Sequence, residues 1–248
     1  NMKVAFCFWG LTRSLKYTLE SIKENIFNVF DEKNIDYDIF LHTYFFEGLY
    51  NNKQSNESGL DLNFEEYKLL NPDYYKIDNQ DEIKKKIDFS LYETPKRRKI
   101  ALPKNSHINF ILAMYSKLQI VKLINDSKNK YDYIIYLRPD VKFLNKFNLR
   151  WFLLSHGKKI LIPNFAHNRG YNDRFFVGNH NQALIYGSAF NYLHEYSRST
   201  QLKPEAFIKY VIQKKCRLDN KRIYVRFIDF KFKRIRANGE VAKQDINL

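Results

Sequence analysis

Two uninterrupted apolar runs constrain this chain more than any other feature. Lys3–Phe8 (KVAFCF) and Tyr131–Leu137 (YDYIIYL) lack the apolar–polar alternation of a half-solvated strand. Runs of this kind are covered on both faces, which is the situation of a strand inside a parallel sheet between helical layers. After the first run, Ser14 reads as an N-cap, and Leu15, Leu19, Ile22, Ile26, Val29 and Phe30 mark the apolar stripe of a helix. Tyr37–Tyr44 (YDIFLHTY) then reads as a second strand. The opening is therefore a βαβ unit with a parallel pair and a right-handed crossover.

The rest of the chain continues the pattern. Asn51–Gly59 is polar and aperiodic, a surface loop. Phe64–Leu70 reads as a short helix ended by Asn71-Pro72, Tyr74–Ile77 as a short strand, and Asp81–Ile87 as a polar helical turn. Glu93–Asn105 carries two prolines and the run Lys96-Arg97-Arg98-Lys99, a basic loop placed to serve as a flap. Ser106 is expected to cap a second long helix, with Ile108, Ile111, Leu112, Tyr115, Leu118, Val121, Leu123 and Ile124 inward, ending near Asn125–Lys130. Past the second apolar run, Ile160–Pro163 reads as a strand and Asn168–Asn181 as a polar loop. Helices are expected at Asn181–Ser197 and Pro204–Lys215, strands at Ile223–Ile228 and Phe230–Ile235, and a turn at Asn238-Gly239. No repeat and no linker interrupts the 248 residues, a length that suits one α/β domain.

Composition narrows the class. With 44% hydrophobic residues and 17% aromatics the chain can fill a core, and 8 Gly and 6 Pro exclude collagen-like and low-complexity classes. Cys7 and Cys216 form no CxxC pair, so a reducing, cytoplasmic setting is the default expectation. Val4–Leu11 is short and lacks a small-residue cleavage site, so neither a secretory leader nor a membrane span is expected. The net charge of +15 attracts polyanions: nucleic acid, an anionic membrane surface touched peripherally, or diphosphate-bearing substrates. The six histidines show no HxxxH or HExxH spacing, which disfavours zinc, and there is no GxSxG elbow.

Three places could carry chemistry. A buried strand delivers Asp140 at its carboxyl end beside Arg138, and ligands of open α/β sheets bind beyond such ends. Asp140 there suits Mg2+ or Mn2+ on substrate phosphates, or else merely begins a turn after Pro139. The first strand–helix turn offers Trp9, Gly10, Thr12 and Arg13 to a phosphate or a base, although a lone glycine is no dinucleotide fingerprint and Trp9 equally suits a core. Asp173, in an Asn-rich loop, could take a proton from an acceptor hydroxyl, or could simply cap or pair. Glu205 after Pro204 is accounted for by the dipole of the helix it opens. Cations interleaved with rings over Arg222–Arg236 could read nucleic acid, but the alternation of Ile223, Val225 and Phe227 favours an amphipathic strand.

KVAFCFWGLTRSL, YDIFLHTY, YDYIIYLRPDV and NDRFFVGN, with LKPEAFIKYVI and RIRANGEV further on, resemble small GT-A-type glycosyltransferases of bacterial polysaccharide clusters and large DNA viruses. The resemblance covers most of the chain from Lys3 to about Gly178. It implies a GT-A-like (Rossmann-like), mixed, mostly parallel sheet flanked by helices in a single domain over residues 1–248. A nucleotide-sugar half would lie at about 1–145 and an acceptor half at about 146–248. It further implies a UDP-, GDP- or TDP-sugar donor, a glycan acceptor, no stable nucleic-acid partner, and Mn2+ or Mg2+ on the donor diphosphate. Where such enzymes carry Asp-x-Asp, this chain reads Arg138-Pro139-Asp140, so Asp140 alone is the implied metal ligand. Trp9, Gly10, Thr12, Arg13 and Arg138 are the implied donor contacts and Asp173 the implied base, with His180 or His194 matching a histidine that often completes the metal site. The alternative is a basic nucleic-acid-binding module without catalysis.

Overall fold

The computed structural model describes residues 2–93, 104–155, 157–217 and 223–248. Strand β1 (Lys3–Trp9) leads into α1 (Leu15–Ile22), which passes through a π-helical turn into α2 (Asn28–Asp31) and then β2 (Asp36–Phe45). A hairpin of β3 (Tyr50–Asn52) and β4 (Glu57–Leu60) precedes β5 (Tyr74–Asn79) and α3 (Gln80–Lys86). The long helix α4 (Lys104–Ser127) returns to β6 (Tyr133–Leu137), followed by β7 (Val141–Phe143), α5 (Arg150–Ser155), β8 (Ile160–Pro163) and β9 (Phe175–Gly178). The chain closes with α6 (His180–Gly187), α7 (Leu193–Ser197), α8 (Pro204–Tyr210), β10 (Val225–Ile228) and β11 (Phe232–Arg234).

Seven strands form one sheet in the order β10-β8-β9-β6-β1-β2-β5. All neighbours are parallel except β9, which runs antiparallel to both β6 and β8. The sheet draws on both ends of the chain, so the described residues form one mixed, mostly parallel α/β unit. The two apolar runs are its centre. Along β1, Val4, Phe6 and Phe8 enter one core while Ala5, Cys7 and Trp9 enter the other; Ile135 and Leu137 of β6 divide from Ile134 and Tyr136 in the same way. Burial on both faces explains why neither run alternates.

Several expectations are corrected. Asn168–Asn181 is not all loop, because Phe175–Gly178 forms β9, and Asn51–Gly59 contains most of the β3–β4 hairpin. The helix expected over Asn181–Ser197 breaks into α6, a 3-10 turn and α7. Ser106 lies inside α4 instead of capping it, and Ser14 occupies the α1 N-cap without a side-chain cap bond. The Ser14 hydroxyl instead donates to the Ile235 carbonyl at 2.8 Å and ties α1 to the C-terminal strand. Phe64–Leu70 is a 3-10 turn over Glu66–Leu70. The basic flap Glu93–Asn105 falls, for most of its length, outside the described residues.

Helix α6 packs directly on the central strand. A Cβ at Gly187 would run into the Tyr136 hydroxyl and a Val121 methyl, both on packed elements. Gly187→Ala is therefore expected to lower stability by about 1–3 kcal/mol, read as a reduced urea midpoint with an unchanged slope.

Candidate active site

The carboxyl ends of β1 and β6 open into a cleft of about 510 Å3. Its wall takes Trp9, Gly10 and Arg13 from the turn after β1, and Arg138 and Asp140 from the turn after β6. Asp173 and Arg174 enter from the segment before β9, Glu205 from the start of α8, and Arg234 and Arg236 from the C-terminal strand and its extension. The sequence reading placed Trp9, Gly10, Arg13, Arg138, Asp140 and Asp173 near one another, and all six line this cleft. Thr12 does not line it: it is buried, and its carbonyl accepts the Leu15 N–H.

Local chemistry fixes the turn after β1. Gly10 takes φ +92°, a left-handed conformation that favours glycine, and its N–H donates to Ser116 Oγ at 3.0 Å. Ser116 Oγ also meets His42 Nδ1 at 2.7 Å, and His42 Nε2 lies 3.1 Å from Asp78. Burial pushes the pKa of His42 down, with Asp78 opposing it only in part. The turn after β6 is held by two backbone acceptors: the Pro139 carbonyl receives the Thr18 hydroxyl at 2.6 Å, and the Asp140 carbonyl receives the Ile235 N–H at 2.8 Å.

Asp140 is the electrostatic centre of the cleft. Arg138 grips it bidentately, Nε to Oδ1 and Nη2 to Oδ2, both at 2.7 Å. Arg13 Nη2 adds a third contact to Oδ2 at 3.0 Å. Burial alone would raise the Asp140 carboxyl pKa, but the Arg138 and Arg13 guanidiniums outweigh it and hold the group well below the usual carboxylate range. Both terminal nitrogens of Arg13 are engaged, while its buried Nε has no partner among the described residues. Its Nη1 contacts the Tyr50 hydroxyl and lies 3.4 Å from Glu57, which also accepts the Ala237 N–H at 2.6 Å. One arginine thus ties the β3–β4 hairpin, the turn after β6 and the C-terminal segment together.

This donor set does not fit a resident Mn2+ or Mg2+. Both Asp140 oxygens already accept guanidinium N–H groups. A unit positive charge 4 Å from a guanidinium is repelled by about 4 kcal/mol at an effective dielectric constant of about 20, and a divalent ion by about twice that. Among the described residues no group of three His, Cys, Asp or Glu side chains converges on a point. His180 meets the Tyr131 N–H at the opposite end of β6, and His194 is exposed on α7, so neither completes a site with Asp140. Asp140, expected as a metal ligand, stands here as the carboxylate partner of Arg138 and Arg13.

The Trp9 ring stands beside two cations, with Lys117 Nζ 4.3 Å and the Arg138 guanidinium 5.3 Å from its centroid. Arg234, from the late basic and aromatic stretch, donates to Asp245 at 2.8 Å, as Arg174 does at 3.3 Å, and both arginines line the cleft. Arg236, half-buried on the same wall, forms no ion pair among the described residues.

Asp173 and Glu205 form the acidic side of the cleft. Asn172 shapes the approach to Asp173: its amide donates to the Phe165 carbonyl at 3.0 Å and its oxygen accepts the Arg174 N–H at 2.9 Å. Asp173 Oδ1 lies 4.0 Å from Arg174 Nε. Glu205 accepts from Asn168 at 2.7 Å, and burial, reinforced by the charge of Asp173, raises its pKa. Gly170 packs against the Glu205 carbonyl where a Cβ cannot fit, so Gly170→Ala is expected to displace α8 from this loop and lower stability. Urea unfolding reads the loss.

Sequence reading missed Lys117, Glu205 and Arg236 as lining or supporting groups. Lys117 is fully buried, donating to the Tyr186 hydroxyl at 2.8 Å and to the Asp173 carbonyl at 3.4 Å. Its signal was helical spacing: Phe110, Met114, Lys117, Ile120 and Ile124 share the inner side of α4, a face rotated from the expected one.

No family model and no curated protein sequence matches the chain. Among solved structures, an active-site mutant of LgtC shares 12% identity and a TM-score of 0.43 over 90% of this chain and 72% of its own. Mouse xyloside xylosyltransferase 1 in its apo form gives 10% identity and a TM-score of 0.40 over 92% and 84%. The galactosyltransferase LgtC with donor and acceptor sugar analogues gives 10% and 0.38 over 85% and 70%. Likenesses this distant bear on no residue of the cleft.

Proposed function

We propose that this chain is a glycosyltransferase that takes a sugar from a nucleoside diphosphate and transfers it to a hydroxyl of a glycan acceptor. The observation that carries the reading is the composition of the cleft: at the carboxyl ends of parallel strands it is lined by Arg13, Arg138 and Arg236 together with the carboxylates of Asp173 and Glu205. The sequence resemblance to GT-A-type transferases points the same way. The donor half is proposed to lie in about residues 1–145 and the acceptor half in about 146–248.

The chemistry asks for both kinds of charge. As the acceptor oxygen bonds to the anomeric carbon, the bond from that carbon to the phosphate oxygen breaks, and its electron pair leaves on the diphosphate. Guanidiniums fixed in a sheltered site stabilise the growing charge without having to reorganise. The acceptor hydroxyl loses its proton to a positioned carboxylate, and Asp173 is assigned that role.

The test is a panel of UDP-, GDP- and TDP-sugars, with binding followed calorimetrically and nucleoside diphosphate release followed in solution. Neither binding nor turnover of any of them overturns the reading. Asp173→Asn is expected to keep donor affinity while turnover falls about a hundredfold. Full turnover in that variant removes Asp173 from the base role and directs the same measurement to Glu205→Gln.

A further inference from the structure

We infer that the cleft binds the diphosphate of its donor directly on guanidinium groups, with no divalent cation between protein and phosphate, and that Asp140 is the positioning residue that aims them. The inference rests on the functional reading above and specifies how the site meets its substrate.

The first ground is the hydrogen-bond count at Asp140. A carboxylate offers about four acceptor positions. Three are taken here, two by Arg138 and one by Arg13. An acid that served a cation would present its oxygens to the open space. Asp140 is 2% exposed and presents them to two arginines.

The second ground is what remains free. Arg138 spends Nε and Nη2 on Asp140 and keeps Nη1, and its side chain stays 20% exposed at the cleft. The Trp9 ring lies against its guanidinium and restricts the plane in which it can turn. Arg236 stands on the same wall with no ion pair among the described residues. Two of the acids that pair with the other cations stand off the lining, Glu57 beside Arg13 and Asp245 beside Arg174 and Arg234, while Asp140 and Asp173 are on it. Two guanidiniums with open N–H groups are thus directed into one cavity. Arginine suits the task, because its planar fork matches two phosphate oxygens at once and its charge does not titrate.

The experiment is calorimetric titration of the whole chain with UDP, GDP and inorganic pyrophosphate, each in EDTA and in MnCl2. The expected result is binding in EDTA with an affinity that MnCl2 does not raise. Arg138→Gln is expected to weaken that binding roughly thirtyfold or more. Arg236→Gln, which breaks no ion pair and so leaves the fold undisturbed, weakens it roughly tenfold. Binding that appears only with Mn2+ overturns the inference and leaves the transferase reading standing. Binding of pyrophosphate in EDTA without turnover of any nucleotide sugar upholds the arginine clamp and overturns the transferase reading. Unchanged affinity in both arginine variants overturns the clamp, and absence of binding under every condition overturns both.

Discussion

Asp140→Ala is expected to lose roughly 3–5 kcal/mol of folding stability, the range seen when one partner of a buried ion pair is removed and the other is stranded. The reason lies in the partners. Among the described residues Arg138 has no carboxylate other than Asp140 within ion-pair distance, and its guanidinium would be left over the Trp9 ring with Arg13 and Lys117 nearby. Arg13 would keep Glu57 and the Tyr50 hydroxyl but would lose the contact that opposes Arg138. For a chain of 248 residues such a loss lowers the melting temperature by about 10 °C. Urea unfolding gives the free energy directly. The double variant Asp140→Leu with Arg138→Met removes both charges and replaces them with apolar groups, so it is expected to recover much of the loss. A stable Asp140→Ala protein would show that the carboxylate is dispensable to the arginines and would remove the basis for calling it their anchor. This outcome also separates two roles that sequence alone leaves together. A cation ligand at a strand end is removed with little harm to the fold, whereas an anchor of buried guanidiniums is not.

The central sheet was legible because burial on both faces leaves a mark on a short stretch of chain. KVAFCF and YDYIIYL have no polar side to show, and each became a central strand. The position of Asp140 was legible for the same reason, since the end of a buried strand is visible in the sequence and cleft residues gather there. Strand β9 was not legible. Its four residues lie between an Asn-rich segment and an Asn179-capped helix, and such a short apolar run has no period of its own. The partners of Asp140 were named, but their pairing was not. Arg13 stands 127 positions from Asp140, and only the β1–β6 ladder brings the two turns together. Without the pairing, an acid at a strand end reads as a cation ligand; with it, the acid is already neutralised. The pairing of Arg234 was not legible either, because its counter-ion Asp245 lies eleven positions further along a non-repetitive tail.

Lys117 supplies the second large expectation. Burial of its ammonium lowers its pKa to about 7, while the charge of Asp173 raises it in part and that of Arg138 opposes protonation. Trp9 and Tyr186 complete its surroundings with two ring faces and one hydroxyl. The folded pKa lies below the unfolded value of about 10.4. Between the two the unfolded chain holds a proton that the folded chain has released, so stability rises with pH across that window. Below about pH 7 both states are protonated and the full penalty of the buried charge is present. Histidines pushed down by burial add a gain of the same sign below their ordinary range, and the buried cysteines pushed up add a loss once the unfolded thiols ionise. A near-isosteric Lys117→Met variant carries all those other groups unchanged, so the difference between the two proteins isolates the lysine. Between pH 6 and pH 9 the wild-type chain is expected to gain roughly 3 kcal/mol more than Lys117→Met, measured by urea unfolding across the range. Parallel curves would mean that the ammonium is solvated or paired in the folded state. A wider gap at high pH has a further consequence at the site. Above neutral pH the buried group that donates to the Asp173 carbonyl is a neutral amine, and the fixed positive charge of the cleft is then that of its arginines.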